Sequence, residues 1–210
     1  MFRVAGYASE SMAPLASLLD DPDSDLDGVL AILALTDNVA REANDVLASM
    51  EPDDRYTGNL ASLIMLPFVH PYRARFNDVT FGAWYAADTV KTAYEEKAYH
   101  LTQWLLQSSA TPLDLKQRVV RATIGNVLHD ARRGPAIPDA VYDPNAYDAS
   151  NAFARDLKTA GSNGIIYDSV RHVTGTCVGV FRPAIIRDPS VQHEILLEWR
   201  DGSLAGFEAI

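Results

Sequence analysis

The sequence predicts an α+β fold in a single domain, with a mixed β-sheet core, flanking helices and a mainly helical N-terminal part. Three observations support this class. The chain has 210 residues, a length that suits one domain. Amphipathic patterns with helical spacing occupy much of the first two-thirds of the chain. The last fifty residues instead contain short runs of β-branched and aromatic residues, separated by turn-forming residues.

The first sixty residues are predicted to form a helical N-terminal extension. Short oxygen side chains in residues 20–25 are typical of a loop that ends in a helix N-cap. Apolar residues then recur at three-to-four spacing from about Leu26, and the Asp37-Asn38 pair can divide this segment into two helices. Pro52 is expected to end it.

A strand followed by a helix is predicted in the middle of the chain. Residues 79–87 combine β-branched and aromatic side chains between two turn signals, which favours a strand. A helix is expected to begin at Asp88 or Thr89, because apolar residues recur on one face from Val90 onward. Trp104 is expected on that apolar face.

The remaining elements follow from periodicity and turn chemistry. Residues 113–129 are expected to form another amphipathic helix. A shorter helix over residues 150–159 is expected to end at Gly161 in a left-handed cap. Asp201-Gly202 is typical of a two-residue hairpin turn between strands, since this pair tolerates positive φ values. The sheet is thus expected to combine the earlier strand with the C-terminal strands.

Composition and charge exclude several classes of protein. The chain carries 18 Lys and Arg against 28 Asp and Glu, a net charge of -10. This charge repels phosphates, so no direct nucleic-acid partner is expected. A single cysteine, Cys177, excludes internal disulfides and favours a cytoplasmic location; we expect it to be a buried small hydrophobe. No apolar stretch approaches the ~20 residues of a membrane span, so no membrane association is expected.

Common catalytic and metal-binding motifs are missing from the sequence. The five histidines show no HExxH spacing, so no metal site is expected. Walker A and GxGxxG segments do not occur, and Ser169 does not lie in a GxSxG elbow. The remaining candidates are Arg75, Tyr85 and Glu96, followed by Ser169. Such residue types suit an anionic dinucleotide, because arginine can fork onto a pyrophosphate, an aromatic ring can stack, and a carboxylate can orient a ribose.

Two segments carry a resemblance to a known family. RFNDVTFGAWYAADTVKTAYEEKAYH and GSNGIIYDSVRHVTGTCVGVFRP closely resemble the RES domain, named for its Arg, Glu and Ser. The resemblance runs from about Phe68 to Trp199 and implies a single RES-type domain over residues 1–210. It implies a fold related to ADP-ribosyltransferases. It also implies the toxin of a bacterial toxin–antitoxin pair, whose partner carries an Xre-type helix-turn-helix domain.

The family's motif residues fall on Arg75, Tyr85, Glu96 and Ser169 of this sequence. The resemblance implies that Arg75 holds the pyrophosphate of NAD+ and that Tyr85 stacks near its nicotinamide end. Ser169 then bonds nicotinamide or its ribose, and Glu96 orients the ribose or the acceptor. Arg75, Glu96 and Ser169 are thus the expected catalytic residues, while Arg75, Tyr85 and Ser169 bind substrate. Glu95 remains a rival to Glu96, because both lie on the flanks of the apolar helix face.

The resemblance further implies an enzyme that degrades NAD+ by cleaving the nicotinamide–ribose bond, through hydrolysis or phosphorolysis. NAD+ is then the substrate and no prosthetic group is expected, while inorganic phosphate is a candidate co-substrate. The expected partner is the antitoxin, with which the protein would form an oligomer. Two alternatives stay open: a protein ADP-ribosyltransferase that uses the same residues, and a catalytically silent binding module.

Overall fold

The computed structural model describes residues 1–6, 45–108 and 110–209. The predicted loop at 20–25 and the predicted helical segment from Leu26 fall largely outside these ranges. The described α-helices are α1 (Ala61–Val69), α2 (Val90–Gln107) and α3 (Asp148–Thr159), and residues 45–49 are also helical. None of the helices in these ranges is long and apolar enough to cross a membrane.

Eight strands of the described chain form one mixed sheet, which makes the fold α+β as predicted. They are β1 (Phe2–Gly6), β2 (Trp84–Ala87), β3 (Leu113–Ile124), β4 (His129–Asp130), β5 (Gly164–Asp168), β6 (Thr176–Val180), β7 (Ile186–Arg200) and β8 (Ser203–Ala209). Their order across the sheet is β4-β5-β6-β2-β1-β3-β7-β8. Neighbouring strands are antiparallel except β4 and β5, which are parallel.

The helix predicted over residues 113–129 is wrong, because this segment forms β3 and the start of β4. Its first residues, Leu-Asp-Leu-Lys, alternate apolar and charged side chains, which is the period-two pattern of a strand. Val119 and Val120 add β-branched side chains that favour extended backbone. The strand then pairs along its length with β7, from Leu113 opposite Trp199 to Ile124 opposite Ile186.

The N-terminal end of the chain begins with a strand in a part that was predicted to be helical. Strand β1 lies between β2 and β3 near the middle of the sheet. It pairs with β3 from Phe2 opposite Arg121 to Gly6 opposite Gln117. The signal in the sequence is short, since only five residues form the strand and their pairing partners on β3 lie more than a hundred residues away.

The predicted strand over residues 79–87 is shorter in the structure, where only β2 pairs with other strands. Val79 is 69% exposed, whereas Phe81 and Ala83 are buried. Gly82 lies against the backbone of α1, at a place where a Cβ atom would fall 1.9 Å from the carbonyl oxygen of Pro67. The segment before β2 therefore packs tightly against a helix and does not extend the sheet.

Helix α2 begins as the sequence predicts. The side chain of Thr89 caps it, because its hydroxyl accepts the N–H of Thr92 at 3.0 Å. Ala93 and Leu105 are buried on its sheet-facing side. The placement of Trp104 on the apolar face is wrong, since its side chain is 57% exposed. Leu105 fills the buried position of that turn, and the preceding residue points about 100° away.

The C-terminal predictions agree with the structure. Helix α3 ends before Gly161, which has a φ of 82° in the left-handed region. Asp201 and Gly202 have φ values of 50° and 76° and join β7 to β8 by a tight turn. Trp84 and Trp199 are buried in the core. One apolar cluster packs α2 and α3 against one face of the sheet, while a second packs α1 against the other face.

Candidate active site

The fold brings together the two segments that carry the candidate residues. Strand β2 and strand β5 both pair with β6, so they lie one strand apart in the sheet. Helix α2 follows directly after β2 and carries Glu96, while Ser169 follows directly after β5. The Ser169 hydroxyl donates a hydrogen bond to Glu96 Oε1 at 2.6 Å, although 73 residues separate them. These two predicted residues are thus in direct contact.

Ser169 is held firmly at the start of the connection between β5 and β6. It is 3% exposed. Its Oγ accepts the backbone N–H groups of Arg171 at 3.1 Å and His172 at 2.9 Å, and its own N–H donates to the Gly175 carbonyl at 2.8 Å. Because two N–H groups occupy the acceptor side of the hydroxyl, its single proton is directed to Glu96. Ser169 is therefore a positioned hydrogen-bond donor.

The structure distinguishes Glu96 from Glu95 by their contacts. Glu96 binds Ser169, whereas Glu95 makes no hydrogen bond within the described residues. The negative charge of Glu96 also acts on two neighbouring side chains, those of Cys177 and Tyr167. Burial raises the pKa of the Cys177 thiol and the Tyr167 phenol, and Glu96 raises both further. Cys177 is buried and stays protonated, in agreement with its predicted role as a small hydrophobe.

Arg75 is a buried arginine in which one guanidinium nitrogen has no hydrogen-bond partner among the described residues. It is 6% exposed, and its Nη1 donates to two backbone carbonyls of residues 141–143, that of Asp143 at 2.8 Å. Its guanidinium lies over the ring of Tyr147, 4.9 Å from the centroid. Asn151 on α3 donates to the Arg75 carbonyl at 2.8 Å and so fixes the backbone. Nη2 has no hydrogen-bond partner among the described residues, which is typical of a group that binds an anion.

Tyr85 connects β2 to the turn that carries Arg75. Its hydroxyl donates to Asn77 Oδ1 at 2.7 Å and accepts the N–H of Phe76 at 2.9 Å. Asn77 in turn donates to the Tyr72 carbonyl at 2.6 Å. Burial raises the pKa of Tyr85, so its phenol stays protonated. The hydroxyl thus supports the local backbone around Arg75, while the stacking of its ring on nicotinamide stays a prediction.

Tyr85→Phe is expected to lower the free energy of unfolding by about 1–3 kcal/mol, because it leaves two buried polar groups without their partner. Denaturant unfolding followed by circular dichroism measures this change. Tyr99→Phe is the matched control: its hydroxyl meets exposed Asn145 at 3.4 Å, and we expect a change within about 0.5 kcal/mol. Wild-type stability in Tyr85→Phe would show that the hydroxyl does not hold the turn.

His100 indicates a local excess of positive charge beside these residues. Although the residue keeps contact with solvent, partial burial of its ring lowers its pKa, and the charges of Arg171, Lys97 and Arg75 lower it further, to about 4. The imidazole is therefore neutral near pH 7. Its ring centroid lies 6.5 Å from that of Tyr147. The charges of Arg171, Lys97 and Arg75 thus all act on one side chain of α2, four residues after Glu96.

Sequence reasoning missed the residues that hold the site in place. Asn77 and Asn151 fix the backbone around Arg75, and Tyr147 covers its guanidinium. The two residues of each contact are from 5 to 76 residues apart in the chain. The only signal was the presence of an asparagine in the RFN turn, where an amide can bond the backbone.

An open depression of about 510 Å³ lies beside the connection after β5. Residues 130–137 and Asp168 line it. Arg132 pairs with Asp130, the backbone N–H of Arg133 donates to Asp168, and the Arg133 guanidinium lies over the ring of Tyr142. The depression contains none of the four candidate residues, so it is a weaker candidate than the Glu96 region. No group of three or more His, Cys, Asp or Glu within the described ranges could hold a metal ion.

Comparisons with known proteins find one family and similar solved structures. One solved structure, the M. tuberculosis MbcT–MbcA toxin–antitoxin complex, matches at 15% sequence identity and a TM-score of 0.40, covering 58% of this chain and 73% of that chain. A search of curated proteins finds no significant match. The family model of the RES domain matches residues 52–200, a span that includes all four candidate residues. Since this match covers well over half of the sequence, the chain belongs to the RES domain family.

Proposed function

We propose that this protein is the toxin of a bacterial toxin–antitoxin pair and that it degrades NAD+ by breaking the nicotinamide–ribose bond. Membership of the RES family supports the coarser part, a toxin that acts on NAD+. The observation that carries the chemistry is the 2.6 Å hydrogen bond between Ser169 and Glu96. It places a carboxylate beside a fixed donor, and the charges of Glu96 and Arg75 both act on the Tyr167 phenol.

Arg75 binds the pyrophosphate in this proposal and thereby places the nicotinamide ribose next to Glu96. A guanidinium presents parallel donors that match two phosphate oxygens. Its Nη1 already bonds the backbone near Asp143, which leaves the Nη2 side for the ligand. Fixing the remote end of the substrate lowers the entropy cost of reaching the reactive geometry.

Glu96 stabilises the positive charge that develops as the bond breaks. The electron pair of the C–N bond leaves with nicotinamide, and the ribose passes through an oxocarbenium-like state. A carboxylate next to this carbon stabilises the transition state more than the bound substrate, because the positive charge develops only as the bond breaks. It therefore lowers the barrier to reaction. An oxygen of water or phosphate then adds to the same carbon, and its proton is released to solvent.

Ser169 serves the reaction by exchanging hydrogen-bond partners. Its proton points to Glu96, and its oxygen is held by two backbone N–H groups. When the hydroxyl turns its proton to the nicotinamide carboxamide, the Glu96 carboxylate is released to accept from a ribose hydroxyl. After this exchange, Ser169 binds the nicotinamide and Glu96 binds the ribose, so both sides of the bond that breaks are held.

The proposal also includes a partner and a location. An antitoxin with an Xre-type helix-turn-helix domain would bind the protein in an oligomer and block NAD+ entry, and both proteins would act in the cytoplasm. The second candidate function is protein ADP-ribosyltransfer. It uses the same contact between Ser169 and Glu96 but passes ADP-ribose to a macromolecule.

Purified protein mixed with NAD+ is expected to release nicotinamide, which chromatography measures. Reactions with and without inorganic phosphate identify the acceptor, since water yields ADP-ribose and phosphate yields a phosphorylated ADP-ribose. Labelled NAD+ incubated with cell lysate tests the alternative, because only a protein ADP-ribosyltransferase labels a discrete protein band. If folded protein without bound antitoxin releases no nicotinamide, NAD+ degradation is wrong.

A further inference from the structure

Arg171 lies two residues after Ser169 and shares its hydrogen-bond network. Its backbone N–H donates to the Ser169 hydroxyl at 3.1 Å. Its guanidinium carbon lies 3.3 Å from the ring centroid of Tyr99 on α2, and its Nη2 donates to the carbonyl of Pro144. Its Nε is buried and has no hydrogen-bond partner among the described residues. The side chain as a whole is only partly buried, so a ligand can reach it.

The guanidinium groups of Arg171 and Arg75 are held by the same short loop. Arg75 donates to the carbonyl of Asp143, and Arg171 donates to that of the next residue, Pro144. Consecutive Cα atoms lie 3.8 Å apart, so the two arginines bind neighbouring points of one backbone. After burial, the charges of Arg171 and Arg75 are among the causes that lower the pKa of His100, in agreement with this placement.

Several arginines nearer the surface of the described chain form ion pairs with carboxylates: Arg73 with Asp148, Arg132 with Asp130, Arg155 with Asp78, Arg182 with Asp54 and Arg200 with Asp114. Exposed Arg133 instead lies over the ring of Tyr142 and forms no ion pair within the described residues. Arg75 and Arg171 bind only neutral backbone carbonyls and aromatic rings within the described part of the chain.

Neither guanidinium forms an ion pair within the described residues, and each has one side-chain nitrogen without a hydrogen-bond partner there, Nη2 of Arg75 and Nε of Arg171. A ligand with two adjacent negative groups can supply acceptors and opposite charge to both arginines at once. A pyrophosphate has this character, because each phosphate carries a negative charge and several acceptor oxygens.

We propose that Arg171 is a second substrate-binding residue, which joins Arg75 in holding the pyrophosphate of the dinucleotide. This inference rests on the proposed function. Each arginine contacts one phosphate, and the loop that both arginines bind sets their spacing. Since the backbone of Arg171 also holds Ser169, one residue couples phosphate binding to the position of the Ser169 hydroxyl.

Calorimetric titration with ADP-ribose tests the proposal, because this ligand keeps the pyrophosphate and lacks the bond that is cleaved. Arg171→Ala is expected to raise the Kd for ADP-ribose about 10- to 100-fold, the size of a lost charge-assisted contact. The KM for NAD+ is expected to rise by a similar factor with kcat within about 3-fold, since the contact is remote from the reacting carbon. Arg171→Lys keeps the charge but loses the fork, so we expect an intermediate Kd.

Arg73→Ala is the matched control, since it removes a nearby exposed arginine that already pairs with Asp148. We expect its Kd within about 2-fold of wild type. An unchanged Kd in Arg171→Ala would overturn the role of Arg171 and leave the proposed function in place. A fall in kcat with an unchanged KM would have the same meaning, because it would show that Arg171 does not contribute to substrate binding. Wild-type protein that binds ADP-ribose but does not cleave NAD+ would overturn the reaction and keep the phosphate contact. Folded wild-type protein that does not bind ADP-ribose would overturn both.

Discussion

Glu96→Gln is expected to lower the rate of NAD+ cleavage by about 100-fold or more and to leave the fold intact. Glutamine keeps the size of the side chain and an oxygen that can accept from Ser169, whose present contact to Glu96 is 2.6 Å. It loses the negative charge that stabilises an oxocarbenium-like state. Nicotinamide release measures the rate, and circular dichroism together with thermal unfolding checks the fold.

Glu95→Gln supplies the matched control for this experiment. The two residues are neighbours on α2, and both substitutions remove one negative charge. Glu95 makes no hydrogen bond within the described residues, so we expect activity within about 2-fold of wild type. Equal activity of Glu96→Gln and wild type would remove Glu96 from the proposed mechanism. A large loss in Glu95→Gln alone would transfer the role to that residue.

Gly82→Ala is expected to destabilise the fold by at least about 3 kcal/mol, beyond the usual cost of an overpacked core. A Cβ atom at this position would fall 1.9 Å from the Pro67 carbonyl oxygen and 2.6 Å from the Phe68 Cα. Backbone atoms of a helix cannot move aside as a flexible side chain does. The substitution thus separates α1 from the segment that leads into β2. Urea unfolding of the purified variant measures the loss.

Gly134→Ala is the matched control, because its added Cβ would meet only the Arg132 carbonyl oxygen at 3.8 Å. That distance is an ordinary contact, and we expect stability within about 0.5 kcal/mol of wild type. If Gly82→Ala unfolds at the same urea concentration as this control, α1 does not pack against the segment around Gly82 as closely as described.

The sequence predicted correctly the helix start and the tight turn whose conformations depend only on neighbouring residues. Thr89 caps α2 through a contact three residues away, and Asp201-Gly202 turns the chain by its own φ preferences. Residues 113–124 were predicted to be helical and form a strand, because the spacing of their apolar residues fits a helix as well as an alternating strand pattern. Pairing with β7 settles that ambiguity, and this pairing joins residues more than sixty positions apart.

The candidate site was predictable in its residue types but not in its contacts. The family motif placed Arg75, Tyr85, Glu96 and Ser169, and the structure joins Ser169 to Glu96. Helical geometry alone could not separate Glu96 from Glu95, because the choice depends on a serine 73 residues further along the chain. The hydroxyl contacts of Tyr85 were not foreseen either, since they depend on how the turn after Arg75 folds back onto β2.

Strand β1 determines the order in which this protein can assemble. It is the link between β2 and β3, so without it the other seven strands would separate into the group β4-β5-β6-β2 and the group β3-β7-β8. Its partners on β3 are residues 117–121, which a ribosome makes long after residues 2–6. Closing so long a loop carries a high entropy cost and slows folding. A newly made chain therefore cannot complete its sheet, or the site that the sheet supports, until most of it has been synthesised.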